Sequence, residues 1–561
     1  MVNPLNIQIP IIETIRKYKK AYLRYDLVAG VTVATVAIPQ AMAYAGLAGV
    51  SITAGLYATL IAMIAFAIFT TTKHVIAGPD AAMAALTGAT LIPFAAAGSG
   101  HYLALVSLLA ILIGISCFAA VISRLGFISE FLSRPILLGY MAGLALAVIA
   151  YQIPKLFGMS PVLNSNFFST VTHIVSNYSQ IHIPTLLLSL ILGGLSYGLI
   201  KLAPKVPLSL IVLVGSILTS AIFGFQAYGI AIIGKIPTGL PLPAIPAVTL
   251  NDVQNLIVPA IAVMMVSYAN TIATARTFAA KENEHIDSSQ EFFSLGAANI
   301  ASGMFGGIPV AASGSRTAVN HQNEANGQIS QLISALTVGL VLLFLARYLK
   351  YLPLPALAII IIAAVSKLFD FVELKSIWHA WRSEAVLAIV TMIGVTILGI
   401  FQGLLLAVLL AIGNLIRTST FPNDAVLGIA EDGSLRDISR PPKSHAKKGI
   451  IMYRFDAPLY FGNAHYFHRR VIQLLDKKPD TKWFLWDAET ITSIDSTGGA
   501  MLLGLARELR KREVVFCIAR MKGPIRHTIN QTNRLSRILG KSPQFTTMGN
   551  ALDAFEKSQK N

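Results

Sequence analysis

Between Ala29 and Tyr151 the only formally charged residues are Lys73, Asp80, Arg124, Glu130 and Arg134. No water-soluble domain hides so long a stretch with so little charge, so most of it must face lipid. Apolar runs of spanning length recur here and further on, near 28–47, 52–71, 103–123, 135–152, 183–202, 208–225, 255–276, 289–305, 328–346, 354–368, 383–400 and 402–418. Two shorter apolar segments, near 79–97 and 313–320, are opened by glycine and proline and are too interrupted for plain helices. Counting both predicts a polytopic α-helical membrane protein with fourteen transmembrane segments.

The whole chain is only 13% charged over 561 residues, where a soluble protein carries about 25%, and its mean hydropathy is +0.65. Past Pro422 the composition becomes that of an ordinary soluble protein. The reading is a cytoplasmic N-terminal segment 1–25, a transmembrane domain 26–418, a polar linker 419–448 holding Pro422, Pro441 and Pro442, and a compact domain 449–558. In that last part Ile450–Phe455, Trp483–Trp486 and Glu513–Ala519 read as strands. Ala464–Leu475 and Ala500–Arg510 read as amphipathic helices between them, which makes a small α/β domain.

A net charge of +17 does not imply nucleic acid, because basic residues beside membrane spans follow the positive-inside rule. Arg16, Lys17, Lys19, Lys20 and Arg24 precede the first span and put the N-terminus in the cytoplasm. Arg124/Arg134, Lys201/Lys205, Arg276/Lys281 and Lys367/Lys375/Arg382 then fall on that same side. The Met159–Ile183 connection carries no formal charge, and Arg347 with Lys350 is the one exception to the pattern. Fourteen segments return the C-terminus to the cytoplasm, in a cell (inner or plasma) membrane. Cys117 and Cys517 lie too far apart in the chain to suggest a disulfide framework, and no cleavable signal peptide is expected.

The two interrupted segments are each the third of seven. Irregular backbone at membrane depth persists only where protein or a wet cavity covers it, and such a matched pair points to a transport site between repeats. The first reads Ala77-Gly78-Pro79-Asp80-Ala81-Ala82, and the second Gly306-Gly307-Ile308-Pro309-Val310-Ala311-Ala312-Ser313-Gly314-Ser315-Arg316-Thr317. Each delivers a helix N-terminus after a Gly/Pro break. Two such ends facing each other would offer free N–H groups and about half a positive charge apiece to an anion. Small residues at Ala81, Ser313, Gly314 and Ser315 let an anion approach the backbone. Arg316 either adds its charge to this field or snorkels to the membrane face.

Ile38-Pro39-Gln40-Ala41-Met42-Ala43-Tyr44-Ala45 resembles the first-span signature of the sulfate permease family, which includes prestin and the anion exchangers. Gly78-Pro79 resembles that family's third span. Ile286-Asp287-Ser288-Ser289-Gln290-Glu291 through Gly296-Ala297-Ala298-Asn299, with Ser313-Gly314-Ser315-Arg316-Thr317, resembles its ninth and tenth segments. Asp495-Ser496-Thr497-Gly498 is similar to the STAS domain that ends most members. The resemblance implies a 7+7 inverted repeat of core and gate domains, a homodimer, and an elevator-type mechanism. It puts anion contacts at Gln40, Tyr44, Asp80, Ala81, Ser313, Gly314 and Ser315, with Arg316 adjacent. For Tyr44, plain packing is the competing reading. By the same resemblance Asp495 and Ser496 form a regulatory loop where a cytoplasmic partner could dock and Ser496 could be phosphorylated; structurally the motif is a helix cap.

Asp80 stands where many relatives carry an uncharged residue. An ionised carboxylate there would repel the substrate, and protonation would relieve the repulsion. Asp80 is therefore expected either to cap its helix or to take up a co-transported proton. Asn270 stands where symporting relatives carry a carboxylate, which weakens Na⁺ coupling. The expectation is a secondary transporter of small inorganic or organic anions, sulfate first, coupled to protons. Bicarbonate, chloride or dicarboxylate transport or exchange is the alternative. A nucleobase transporter of the same architecture would need a carboxylate near Asn270 or Ser313, and a motor without transport is the third reading. No enzyme motif, metal cluster or cofactor is expected. His465 and His468 read as surface residues.

Overall fold

The computed structural model describes residues 9–123, 134–159, 167–202, 208–234, 239–282, 286–439, 441, 444–531 and 542–560. Arg124 and Lys205, used above for orientation, lie outside them. The chain divides into two compact units, Met1–Ala411 and Ile412–Asn561.

The first unit is helical. In chain order it holds α1 (Pro10–Arg16), α2 (Tyr22–Leu47), α3 (Ile52–Phe69), β1 (Ala77–Gly78), α4 (Ala81–Leu91), α5 (Gly100–Ile122), α6 (Arg134–Leu156), α7 (Phe167–Ser176), α8 (Ile183–Leu202) and α9 (Leu208–Phe223). It continues with α10 (Leu250–Glu282), α11 (Ser288–Met304), β2 (Ala311–Ala312), α12 (Gly314–Gln322), α13 (Ile329–Leu340), α14 (Leu354–Val365), α15 (Phe371–Ala380) and α16 (Arg382–Leu398). A last helix, α17 (Ile400–Thr420), runs from this unit into the next. Each of the fourteen apolar segments read from the sequence carries an α-helix. Among the described residues six helical stretches are long and apolar enough to cross a membrane, the last being Ile329–Tyr351, where α13 continues through a π turn and a 3₁₀ turn.

Lipid gives helices no hydrophobic reason to associate, so small residues and buried polar bonds must hold the bundle. On α5 and α11 the contact is glycine on glycine: a Cβ on Gly114 would stand 2.6 Å from the Gly296 carbonyl oxygen. Glu291, fully buried on α11, accepts from Thr70 Oγ1 at 2.9 Å, Thr71 N at 2.9 Å and Thr71 Oγ1 at 2.8 Å, which fastens the end of α3. Asp26, buried on α2, accepts from Tyr18 Oη at 2.6 Å and Asn326 N at 2.7 Å. Each buried carboxylate thus has its donors, the condition under which such groups are tolerated at depth.

The second unit is a six-stranded sheet in the order β4-β3-β5-β6-β7-β8. Its strands are β3 (Asp424–Ile429), β4 (Leu435–Asp437), β5 (Ile450–Phe455), β6 (Trp483–Asp487), β7 (Val515–Ala519) and β8 (Gln544–Phe545). β5 to β8 run parallel, while β3 is antiparallel to both β4 and β5. Alternation along β5 sends Ile451, Tyr453 and Phe455 to the face covered by α18 (Ala464–Lys477) and α19 (Ser496–Lys511). Ile450 and Met452 go to the other face, with Met548, Ala551 and Phe555 of α21 (Met548–Lys560); α20 (Gly523–Gln531) precedes it. The stretch 419–448, expected to be a linker, instead carries β3 and β4, with Asp424↔Phe455 and Leu427↔Met452 in register. Val426 and Leu427 are buried there, so an apolar strand outweighs the prolines around it.

Candidate anion site

The two interrupted segments cross. β1 and β2 pair antiparallel, Ala77 opposite Ala312 and Gly78 opposite Ala311. Ser313 N donates to Ile76 O at 2.9 Å, and Ile76 N donates to Thr317 Oγ1 at 3.1 Å. The exits of these strands are the N-termini of α4 and α12.

Side chains from α10 and α11 fix β2 from inside the bundle. Asn299 Nδ2 donates to Val310 O and its Oδ1 accepts from Val310 N, both at 3.0 Å. Ser267 Oγ donates to the same carbonyl at 2.9 Å, and Ala312 N donates to Thr271 Oγ1 at 3.1 Å. These bonds satisfy strand groups that would otherwise be orphaned in a low-dielectric interior. Thr271 and Thr317 are not among the expected site residues; for Thr271 the available signal is its place one helical turn after Ser267 in the apolar stretch of α10.

The two N-termini differ. Asp80 is the N-cap of α4, and its Oδ2 accepts from Ala82 N at 3.2 Å. Ser313 is the N-cap of α12 but makes no side-chain cap; its Oγ lies 3.2 Å from Ser315 Oγ. Ser313 and Ala81 are buried, whereas Gly314 and Ser315 are exposed. One helix end is therefore closed by its own carboxylate and the other is open. Asn270, in the middle of α10, reaches toward both, with Nδ2 at 3.4 Å from Ala312 O and 3.5 Å from Asp80 Oδ2.

Arg316 does not snorkel. It is 0% exposed, and Nη2 donates to Pro79 O at 2.7 Å across the crossing. Nε and Nη1 have no hydrogen-bond partner among the described residues. Gly78, at φ +155°, permits this, since a Cβ there would stand 3.0 Å from Nη1. α2 packs against both short helices and presents Gln40 and Tyr44 one helical turn apart on one face. Both are buried, and Gln40 Oε1 is unpartnered among the described residues. Tyr44, Asp80 and Arg316 lie within electrostatic reach of one another. All eight residues expected to contact an anion thus belong to the crossing or to the helix packed on it.

Asp495 and Ser496 belong to the second unit. Asp495 caps α19, with Oδ1 accepting from Gly498 N at 2.7 Å and Oδ2 from Phe461 N at 2.9 Å, and Ser496 is exposed. His465 is exposed, and His468 pairs with Glu508 at 3.1 Å.

The chain is 37% identical to the Mycobacterium tuberculosis protein named "Probable sulfate transporter MT1781" over 544 residues, 97% of each chain. It is 30% identical to "Sulfate transporter 4.1, chloroplastic" of Arabidopsis thaliana, covering 98% of this chain and 83% of that one. Its fold is that of the murine Slc26a9 anion transporter in the inward-facing state, with a TM-score of 0.89 at 21% identity over 99% of this chain and 94% of that one. The STAS domain model matches residues 442–551. With residues 23–391 matching the Sulfate permease family model, this multi-pass membrane chain belongs to the sulfate permease family of transporters.

Proposed function

We propose that this protein carries sulfate across the membrane as a secondary transporter, with proton uptake at Asp80 coupled to anion binding. The observation that carries the reading is the antiparallel crossing of β1 and β2, which sets two helix N-termini beside a buried arginine. Backbone donors, helix dipoles and one guanidinium suit a strongly hydrated oxyanion without any metal. The names of the mycobacterial and plant relatives support sulfate over other small anions.

The coupling reading rests on the difference between the two helix ends. An ionised Asp80 serves as the internal anion of α4 and offsets Arg316. Two unit charges about 4 Å apart at an effective dielectric near 20 interact by about 4 kcal/mol, so a sulfate entering beside that carboxylate meets a large penalty. Protonation removes it and leaves Arg316 and the open α12 end to the substrate. Tyr44 and Gln40 on α2 close the pocket. In this reading fourteen segments in a 7+7 inverted repeat form a core that moves against a gate, in a homodimer with both termini cytoplasmic. The basic cluster Arg16, Lys17, Lys19, Lys20 and Arg24 supports that orientation.

The test is labelled sulfate uptake into proteoliposomes across an imposed pH gradient, with a competing panel of bicarbonate, chloride, oxalate and dicarboxylates. Sulfate uptake accelerated by acid on the entry side is expected. Bicarbonate uptake that demands Na⁺, or no sulfate uptake under any gradient, overturns the assignment.

A further inference from the structure

At the far end of α12 from the anion cradle, three residues from distant parts of the chain converge. His74 lies on the segment leading into β1, Glu282 is the last residue of α10, and His321 is in the last turn of α12. One ligand atom of each lies within 4.8 Å of the other two. His321 Nε2 is already 3.0 Å from Glu282 Oε1, and the two imidazole rings meet edge to face with centroids 5.0 Å apart. The sequence reading expects no metal site, because no ligand spacing betrays residues drawn from three separate segments.

We propose that His74, Glu282 and His321 form a divalent transition-metal site, with Zn²⁺ as the ion that fits best. Two imidazoles and one carboxylate are a recognised zinc donor set, leaving further positions for water. Tetrahedral coordination at about 2.0–2.1 Å puts ligand atoms roughly 3.3 Å apart. The Glu282–His321 pair, at 3.0 Å, is already near that spacing, and His74, whose ligand atom lies within 4.8 Å of both, reaches it with a shift of at most about 1.5 Å.

The surroundings favour a cation. Glu282 and His321 both sit in last turns, where the carbonyl ends of α10 and α12 carry partial negative charge. Supporting bonds hold the donors in place: Asn320 Nδ2 donates to the His74 carbonyl at 3.0 Å, and the Phe278 ring packs on His321 at 5.5 Å. His74 is 9% exposed, while the His321 and Glu282 side chains are 25% and 43% exposed, so an ion has a route in from one side. The neighbouring Lys73 is exposed. An ion here ties the entry of β1 to the exit of α12, so its occupancy stiffens the crossing that builds the anion cradle.

The experiment is Zn²⁺ titration of the purified, untagged full-length protein after chelator treatment, read by calorimetry and by the thermal unfolding midpoint. One saturable equivalent per chain and a raised midpoint are expected. His321→Gln and Glu282→Gln should each weaken that equivalent at least tenfold. Glu282→Gln alters an exposed side chain and keeps the test valid if His321→Gln fails to fold. His101→Ala, which removes a histidine lying beside Asp252 elsewhere on the same unit, should bind as wild type does. The absence of a saturable equivalent in the wild type, or unchanged binding in Glu282→Gln and in any folded His321→Gln protein, overturns the site.

Discussion

The Arg316 guanidinium lies against Gly78: Nη2 bonds the next carbonyl, Pro79 O, at 2.7 Å, and a Cβ at position 78 would stand 3.0 Å from Nη1. Gly78 also sits at φ +155°, which L side chains rarely adopt. Gly78→Ala therefore adds backbone strain of about 1–3 kcal/mol and displaces the charge from the crossing. Sulfate uptake in proteoliposomes should fall at least tenfold while the variant elutes as wild type does. Gly98→Ala is the control, with φ +79° and nothing within 4 Å of the new Cβ. It carries strain without touching the site and should keep uptake within twofold. Wild-type rates in Gly78→Ala would remove Arg316 from the mechanism.

Asp80→Asn tests the coupling. The amide keeps an acceptor for the Ala82 N–H but carries no charge at any pH. If the ionised carboxylate is what excludes the anion, the variant behaves as the protonated form throughout. Its uptake should be fast and flat with external pH, where the wild type slows as pH rises. Gradient-driven accumulation should also vanish, leaving equilibration only. Unchanged pH dependence of uptake in Asp80→Asn would assign the proton to another group.

Asn299 holds both polar groups of Val310, and Ser267 can replace it only at the carbonyl. Asn299→Ala leaves the Val310 N–H without its partner in a buried site, a loss of about 1–3 kcal/mol. The unfolding midpoint in detergent should drop by a few degrees, with sulfate affinity falling alongside because β2 loses its anchor. Asn299→Ala with wild-type midpoint and affinity would mean that β2 is held by Thr271 and Ser267 alone.

Gly78-Pro79 and Pro309 made the breaks in α-structure visible from the chain alone, because glycine and proline act locally. The pairing of Ala77 with Ala312 was not visible. It depends on Asn299, Ser267 and Thr271 reaching across from helices far away in sequence, and a one-dimensional pattern carries no such distance. Arg316 could be read as facing the site or the membrane surface, and only packing distinguishes these; it is buried on Pro79 O. In the tail, Asp424–Ile429 holds the buried run Ala425, Val426, Leu427 and Gly428 and is followed by the turn residues Glu431, Asp432 and Gly433, so the β3–β4 hairpin was readable. The nearby Pro441 and Pro442 outweighed it.

Cys517, on β7 between β6 and β8, is buried, and burial pushes its thiol up to about 12. The thiolate is the reactive form, so a rise from an ordinary thiol value of 9.0 lowers its fraction at neutral pH about a thousandfold. Native protein should show no maleimide labelling at Cys517 over hours, and full labelling in denaturant, measured by peptide mass spectrometry. Rapid native labelling would indicate that the β6–β7 region opens readily.

Asp495 ties two pieces of the tail together, since its two oxygens accept from Gly498 N on α19 and from Phe461 N before α18. Asp495→Ala loses a helix cap worth about 1 kcal/mol, and the Phe461 amide loses its acceptor as well. Hydrogen exchange on the full-length protein should therefore speed up at the start of α19 and around Phe461, with β5 to β7 unchanged. Ser496 is different. Its side chain is exposed and appears in none of these bonds, so Ser496→Ala should leave the same amides protected as in the wild type. A phosphate on Ser496 would add charge beside Asp495 at an end of α19 already occupied by a carboxylate. It would alter what the loop presents to a partner before it altered the fold. Loss of protection in Ser496→Ala equal to that in Asp495→Ala would contradict this division of labour, and would make the serine part of the cap.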